Sequence, residues 1–510
     1  MNTNTAEEQL EDFEQDEKTE NSIMDLISER QTDELVFAFC GAVGSGVTEV
    51  TKILKEIVPN YKYQVEKVNV SALINTYSDN TDFKLKIKQY KENGNEHIRT
   101  KALQQEGNRL RKEYGNDYLA QLIIQEISIK RDQKSEEEYK PRRHITIIDS
   151  LKHQDEVKLL KAVYNSMFFL FGVLCPEPTR RTRLIGKKRI NESDAIDLID
   201  RDKSDDLDHG QQLLKTIQHA DFFIRNVSSN SDILEKPLKR FITLILGENN
   251  ITPTKEEYAM YCAQSSAYKS ACISRQVGAA IVNETGEIIA TGFNDVPKFG
   301  GGLYCTDDDK DDRCINKVGH ECINDRHKKE IFDEIRAKLT DKIKDKNELD
   351  VTMKDISSIG RLKNLTEFSR SIHAEMDAIT TVARNGKETL KKASLYCTTY
   401  PCHNCARHIL AAGIQKVFYI EPYEKSLAIT LHGEEIINGT HAEKLSIIPF
   451  EGVAPKQYMN LFRSEKRKRE GKKISLDLRK KKPIVKQFLD RYIDYEDNVV
   501  KNLLNMKKTT

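Results

Sequence analysis

Apolar and polar positions along this chain fall into two different rhythms. From Asp33 to about Gly247, short continuous apolar runs alternate with stretches of helical periodicity. The run ELVFAF predicts a strand and TEVTKILKEIV a helix. HITIID predicts a second strand, followed by helical HQDEVKLLKAVY and a third strand, SMFFLFGV. ADFFIRN reads as a further strand before the helix SDILEKPLKRFITLIL. Such alternation implies a parallel sheet with helices on both faces.

The second rhythm begins after GENNITPTKEE, which reads as a linker. VGAAIVNETGEIIATGF is two β-rich runs around a turn, hence a hairpin. A polar insert, Lys298 to about Glu367, contains a charged helical stretch from Lys328 to Lys346. After it come SIHAEMDAITTVA (helix), ASLYCTT (strand), PCHNCARHILAAG (helix), KVFYIEP (strand) and LSIIPF (strand). In the insert, Ile331, Ile335, Leu339 and Ile343 recur every four residues, a packing stripe against the pocket or a second subunit.

At 510 residues the chain exceeds one ordinary core, so two domains are expected. Lys+Arg (81) and Asp+Glu (80) cancel to +1, so global charge does not point to a nucleic-acid partner. Residues 1–32 are acidic and poor in apolar side chains, as in a solvated tail. They lack the basic-then-apolar order of a signal peptide, and no apolar stretch reaches membrane-spanning length, so a cytoplasmic protein is expected. Ten cysteines in so long a chain do not make a disulfide scaffold; a close-set subset reads as metal ligands.

That subset is specific. His373 in HAE, with Cys402 and Cys405 in PCHNC, supplies three ligands of the types zinc prefers and leaves one position open for water. Cys-x-x-Cys at a helix start lets two thiolates face one ion, and the helix N-terminus favours their charged form. Glu375 lies two residues beyond the histidine, suited to general acid/base work on the water rather than to ligation. His-x-Glu followed by Pro-Cys-x-x-Cys is a known signature of zinc deaminases, with the glutamate shuttling protons as hydroxide attacks C4 of cytosine.

The resemblance extends further. SRQVGAAIVNETGEIIATGFNDVPK looks like the start of a deoxycytidylate deaminase domain. By that resemblance Asn294 contacts the sugar of a bound nucleotide; a turn-favouring asparagine is the plainer reading. In EPYEKS, Tyr423 is a candidate to cover the base and Lys425 to meet phosphate, or both are exposed loop residues.

In the first half, GAVGSGVTEV sits between strand and helix like a phosphate-cradling loop. Gly41, Gly44, Ser45 and Gly46 form the loop, Thr48 holds the usual magnesium-facing position, and Asp149 ends a strand like a Walker-B carboxylate. EPTRRTRLIGKKR resembles the arginine lid of small nucleotide kinases, with Arg180 and Arg183 as candidates, and the DRD of Asp200 to Asp202 adds to the likeness. The lysine position holds Val47, so phosphoryl transfer is not expected. A regulatory nucleotide with Mg2+, or a scaffold role, remains.

A P-loop-like domain ahead of a deoxycytidylate deaminase domain resembles the bacterial anti-phage dCTP/dCMP deaminases over roughly Glu34 to Arg463. The resemblance implies a P-loop NTPase-like parallel-sheet domain (33–247), then a cytidine deaminase-like α/β/α three-layer domain (248–462) with an insert (298–367). A basic tail (463–510) follows. It further implies conversion of deoxycytidine nucleotides, dCMP or dCTP, to deoxyuridine nucleotides during infection, restraint by an inhibitory RNA, and homo-oligomers. Alternatives are a deaminase of nucleic-acid bases, which the basic run Arg463 to Lys482 favours slightly, and a regulatory module whose zinc is structural. Cys305, Cys314, His320, Cys322 and His327 form a second candidate zinc cluster, or are polar-loop residues.

Overall fold

The computed structural model describes residues 31–132, 142–203, 210–227, 231–248, 250–317, 319–363, 365–423, 426–463, 467–469, 472–473, 476–486 and positions 493, 496–497, 499–501 and 503–504. Most of the acidic N-terminal stretch, and Lys425, lie outside the described residues.

The first half contributes β1 (Leu35–Gly41), β2 (Gln64–Val68), β3 (His144–Leu151), β4 (Phe168–Leu174) and β5 (Phe222–Arg225). The second half contributes β6 (Gly278–Val282), β7 (Ile288–Phe293), β8 (Ser394–Thr399), β9 (Lys416–Glu421), β10 (Ile436–Asn438), β11 (Leu445–Pro449) and β12 (Gly452–Val453). They form two six-stranded sheets, ordered β12-β5-β4-β1-β3-β2 and β10-β11-β9-β8-β6-β7. The protein is therefore mixed α/β with two sheets rich in parallel pairs.

The first sheet runs parallel from β2 to β5. Every residue of β1 and β4 is buried, which is why both read as continuous apolar runs. On one face Phe39 stacks on Phe171 at 4.9 Å, and Phe222 stacks on Phe241 of the following helix at 4.5 Å. Burying each such ring contributes about 1.5–3 kcal/mol. β2 is an edge strand, QVEKV, mostly half-exposed and with no apolar run to announce it. The helices Val70–Tyr77, Thr81–Asn93, Glu96–Tyr114 and Tyr118–Asp132 fill the chain between β2 and β3.

In the second sheet β6 pairs antiparallel with both β7 and β8, giving the expected hairpin, while β8, β9, β11 and β10 run parallel. Helix Lys255–Ala267 covers one face and helix Ala374–Asn385 the other. Both lie unusually close because a glycine faces each. A Cβ on Gly278 would stand 1.9 Å from the Ala263 carbonyl oxygen, and one on Gly292 2.3 Å from that of Ala374.

The two sheets are tied together. β12 follows the last strand of the second sheet and pairs antiparallel with β5 of the first. Arg240, before the connection, makes a two-pronged bridge to buried Glu257 after it, at 2.7 and 2.8 Å. Fully buried Asp221 pairs with Lys161 at 3.3 Å and with Lys456 at 3.1 Å. Part of the basic C-terminal run also returns: Arg143 donates to the carbonyls of Leu478 and Lys481, and Ile484 N–H to Ile245. The insert forms helices Ile323–Thr340 and Lys346–Ser358, joined by an Arg336–Asp350 ion pair, and its isoleucine stripe is half-buried. Among the described residues, no helix is long and apolar enough to cross a membrane.

Candidate active site

Two helix starts meet at the ends of β7 and β8. His373 is the N-cap of helix Ala374–Asn385, and Cys402 is the N-cap of helix His403–Ala411, with Cys405 in its first turn. The first helix is anchored by Asp377, whose buried carboxylate accepts the Phe293 N–H of β7 at 3.1 Å. The second follows β8 across only Tyr400 and Pro401, so sheet geometry fixes where the thiols point.

The ligand atoms of His373, Cys402 and Cys405 lie within 4.8 Å of one another, and no other such group occurs among the described residues. His373 Nδ1 is 3.4 Å from the Cys402 sulfur and 3.3 Å from that of Cys405. Tetrahedral bonds to zinc of about 2.0 Å (N) and 2.3 Å (S) would separate such atoms by about 3.6 Å, so this donor set fits that ion. Cys402 and Cys405 share a side-chain hydrogen bond that, helped by His373, holds Cys402 down to about 4 and pushes Cys405 up. A dication between them would favour the thiolate form of both.

Beside these groups lies a cavity of about 610 Å³, lined by His373, Glu375, Cys402, Asn294 and Tyr423 among others. Glu375 is 4% exposed, and burial pushes its carboxyl above the usual range. A carboxyl in that state holds and releases a proton more readily near neutrality than an exposed one does.

Asn294 lines the cavity with its carboxamide already engaged. Oδ1 accepts the Val277 N–H at 2.7 Å and Nδ2 donates to the Arg275 carbonyl at 2.9 Å, which pins the loop ahead of β6. The other wall comes from the insert, through Cys314, Cys322, Asn324 and Glu367, and from Arg370 just beyond it. Arg275, also on the lining, pairs with Glu421 at the end of β9. Arg370 immediately precedes SIHAE, a neighbourhood that spacing alone does not interpret. The second cysteine and histidine cluster is not gathered: His320 bonds the Ile315 carbonyl, His327 pairs with Glu330, and Cys322 approaches Ser274.

At the other candidate site, Gly44 and Gly46 adopt φ of 79° and 86° between β1 and helix Val47–Ile57. The loop is wrapped by its own chain. Buried Asp202 accepts the Val43 N–H at 2.5 Å and pairs with Lys152 at 2.8 Å; Lys152 also donates to the Gly41 carbonyl. Arg183 donates to the Ser45 and Asn226 carbonyls, and Asn226 Nδ2 to that of Ser45. Thr48 is exposed, and Ser45 Oγ is buried without a partner among the described residues. Asp149 is held by Lys67 at 3.1 Å and by the Val70 N–H.

A family model described as the cytidine and deoxycytidylate deaminase zinc-binding region matches residues 253–421. Deoxycytidylate deaminase of Enterobacteria phage T4 is 34% identical over 175 residues, covering 34% of this chain and 80% of that one. The Saccharomyces cerevisiae deoxycytidylate deaminase is 25% identical over 206 residues, covering 39% of this chain and 46% of the relative. A solved dCMP deaminase from cyanophage S-TIM5 aligns over 39% of this chain and all of its own, at 19% identity and a TM-score of 0.22. The zinc-type donor set and the acid beside it define a hydrolytic deaminase. This chain belongs to the cytidine and deoxycytidylate deaminase family, whose domain occupies its C-terminal part.

Proposed function

We propose that the protein converts dCMP and water to dUMP and ammonia. The observation that carries this reading is the convergence of His373, Cys402, Cys405 and buried Glu375 on one nucleotide-sized cavity, in a chain of this family. His373, Cys402 and Cys405 would hold zinc. Zinc bound there supplies Lewis-acid activation of water at neutral pH. Glu375 takes the proton of the attacking water, passes it to ring N3, and then carries the second proton to the departing amino group. The C4–N bond breaks as the C4–O bond is completed, and no oxidant is needed. Tyr423 covers the base, Asn294 orders the sugar-side loop, and Lys425 meets phosphate.

The first half, residues 33–247, acts as a regulatory P-loop-like domain ahead of the deaminase domain of 248–462. The internal contacts around Gly41, Gly44 and Gly46 take up the loop's own groups, which disfavours phosphoryl transfer there. Use of dCTP, depletion of deoxycytidine nucleotides during phage infection, restraint by RNA and self-assembly rest on the resemblance in domain order. The test is purified zinc-loaded protein incubated with dCMP, dCDP, dCTP, CTP or a short single-stranded oligonucleotide, with Glu375→Ala as control. Loss of the amino group from dCMP that vanishes in the variant supports the reading. Activity confined to the oligonucleotide, or equal activity in Glu375→Ala, overturns it.

A further inference from the structure

A second cavity, of about 470 Å³, lies between the two sheets. Its volume falls within the range of small-ligand sites. Ala42, Cys175 and Arg180 line it from the first half, and Tyr400, Tyr419 and Tyr423 from the second. Tyr400 and Tyr423 also line the catalytic cavity, so the two spaces share a wall.

The lining chemistry is selective. Three tyrosines offer π-faces and edges, with Tyr400 and Tyr419 meeting edge-on at 5.0 Å. Arg180 is only 7% exposed, and its buried Nε–H has no partner among the described residues, while its Nη1 reaches the Val43 carbonyl at 3.4 Å. A buried guanidinium donor left unsatisfied is costly unless a ligand completes it, and its fork matches phosphate or carboxylate. Glu177, the one carboxylate on the lining among the described residues, disfavours a highly charged anion. Aromatic walls with one such cation suit a flat ring bearing a single anionic group.

We propose that this cavity binds a mononucleotide, with its phosphate on Arg180 and its ring among the tyrosines, and that occupancy alters substrate binding through Tyr400 and Tyr423. This deepens the regulatory reading of the first half and rests on it. It places the ligand beside the glycine loop, whose own groups are engaged by Asp202, Arg183 and Asn226. The Tyr400 hydroxyl donates to Asn438 at 2.9 Å, and its backbone N–H donates to the Glu421 carbonyl. A ring inserted behind it therefore presses on the segment leading into Cys402.

The experiment uses the full chain carrying Glu375→Ala, so that binding is read without turnover. AMP, GMP, adenosine and inorganic phosphate are titrated by calorimetry, and dCMP affinity is measured with and without AMP. The expected result is one AMP or GMP per chain, bound at least tenfold more tightly than adenosine or phosphate. Arg180→Gln should weaken AMP at least tenfold, and Leu214→Trp, which fills the cavity from its lining, should abolish it. Thermal unfolding confirms that both variants are folded. AMP should change dCMP affinity at least threefold. Failure of both AMP and GMP to bind, or AMP binding indifferent to both variants, overturns the site. Binding that leaves dCMP affinity unchanged overturns the coupling. If AMP binds as expected while active protein deaminates nothing, the deaminase reading fails and this site stands.

Discussion

Gly292→Ala is the sharpest test of how the fold builds the site. The added Cβ would fall 2.3 Å from the Ala374 carbonyl oxygen and 2.5 Å from the Ala378 nitrogen. Those atoms belong to the first turn of the helix that carries His373 at its cap and Glu375 in that turn. Neither is the end of a flexible side chain, so relief requires the helix to lift from the sheet by about 1 Å. Overpacking of this kind costs about 1–3 kcal/mol. The chemical cost is larger, because Cys402 and Cys405 ride on a different helix and stay behind. A displacement of about 1 Å in a catalytic array costs on the order of 100-fold in rate. The assay is kcat/KM for dCMP deamination, with zinc content and thermal unfolding measured on the same preparation. Gly278→Ala is the matched control: its Cβ meets helix Lys255–Ala267, which holds none of the three ligands. It should lose at least as much stability yet keep zinc. Wild-type kcat/KM and full zinc occupancy in Gly292→Ala would refute the reasoning.

Glu375→Gln keeps the shape and removes the proton carrier, so kcat should fall by about 100-fold to 10,000-fold with zinc retained, as read by metal analysis beside turnover. His373→Ala or a strong chelator should abolish both zinc binding and activity, and activity lost to the chelator should return on adding zinc. Asp221→Ala should destabilise the protein by about 3 kcal/mol, since it removes the buried carboxylate that Lys161, Lys456, Gln457 and the Leu170 N–H share at the sheet junction; chemical denaturation measures this. Burial opposes ionisation of Asp221, but Lys456, Lys161 and hydrogen bonds from Gln457 and Leu170 hold its carboxyl below the usual value. A depressed folded value means the unfolded state takes up the proton first as pH falls. The contribution is thus complete at neutral pH and begins to fall at about pH 4, as the unfolded carboxylate takes up its proton. It is gone only below the depressed folded value, where wild type and Asp221→Asn should converge in stability.

The parts of this molecule legible in the sequence are those whose physics is local. β1 and β4 are buried on both faces and so are apolar throughout, and the HAE and PCHNC segments carry their ligands at helix starts where neighbouring spacing sets geometry. β2 escaped because an edge strand needs no apolar run, and β12 because two residues carry no periodicity. The insert read as polar, yet its Asn324 and Cys314, with Arg370 just beyond it, reach the catalytic cavity through contacts distant in sequence, such as Asn324 Nδ2 to the Leu365 carbonyl at 2.9 Å. Asn294 was legible as a residue of the cavity but not as the clamp on Arg275 and Val277 that its carboxamide makes. Arg183 and Asp202 were legible as kinase-like elements beside the glycine loop, but not the way they and Asn226, 181 positions from Ser45, take up the loop's own groups.

The junction between the sheets bears on what the first half contributes. A merely tethered neighbour would meet the deaminase through a flexible linker and a polar surface. Here the second-half chain completes the first sheet through β12, and the Ala454 N–H donates to the Asp221 carbonyl at 2.9 Å one residue beyond that pairing. Glu257 serves both sides at once, accepting the Val453 N–H at 2.9 Å while bridging Arg240. Separating the sheets would expose these buried charges and a strand edge together, so the junction is expected to unfold cooperatively with its neighbours rather than to hinge. Such stiffness suits a small movement of shared side chains better than an opening of domains. Tyr400 and Tyr423, which face both cavities, are the side chains positioned to make it.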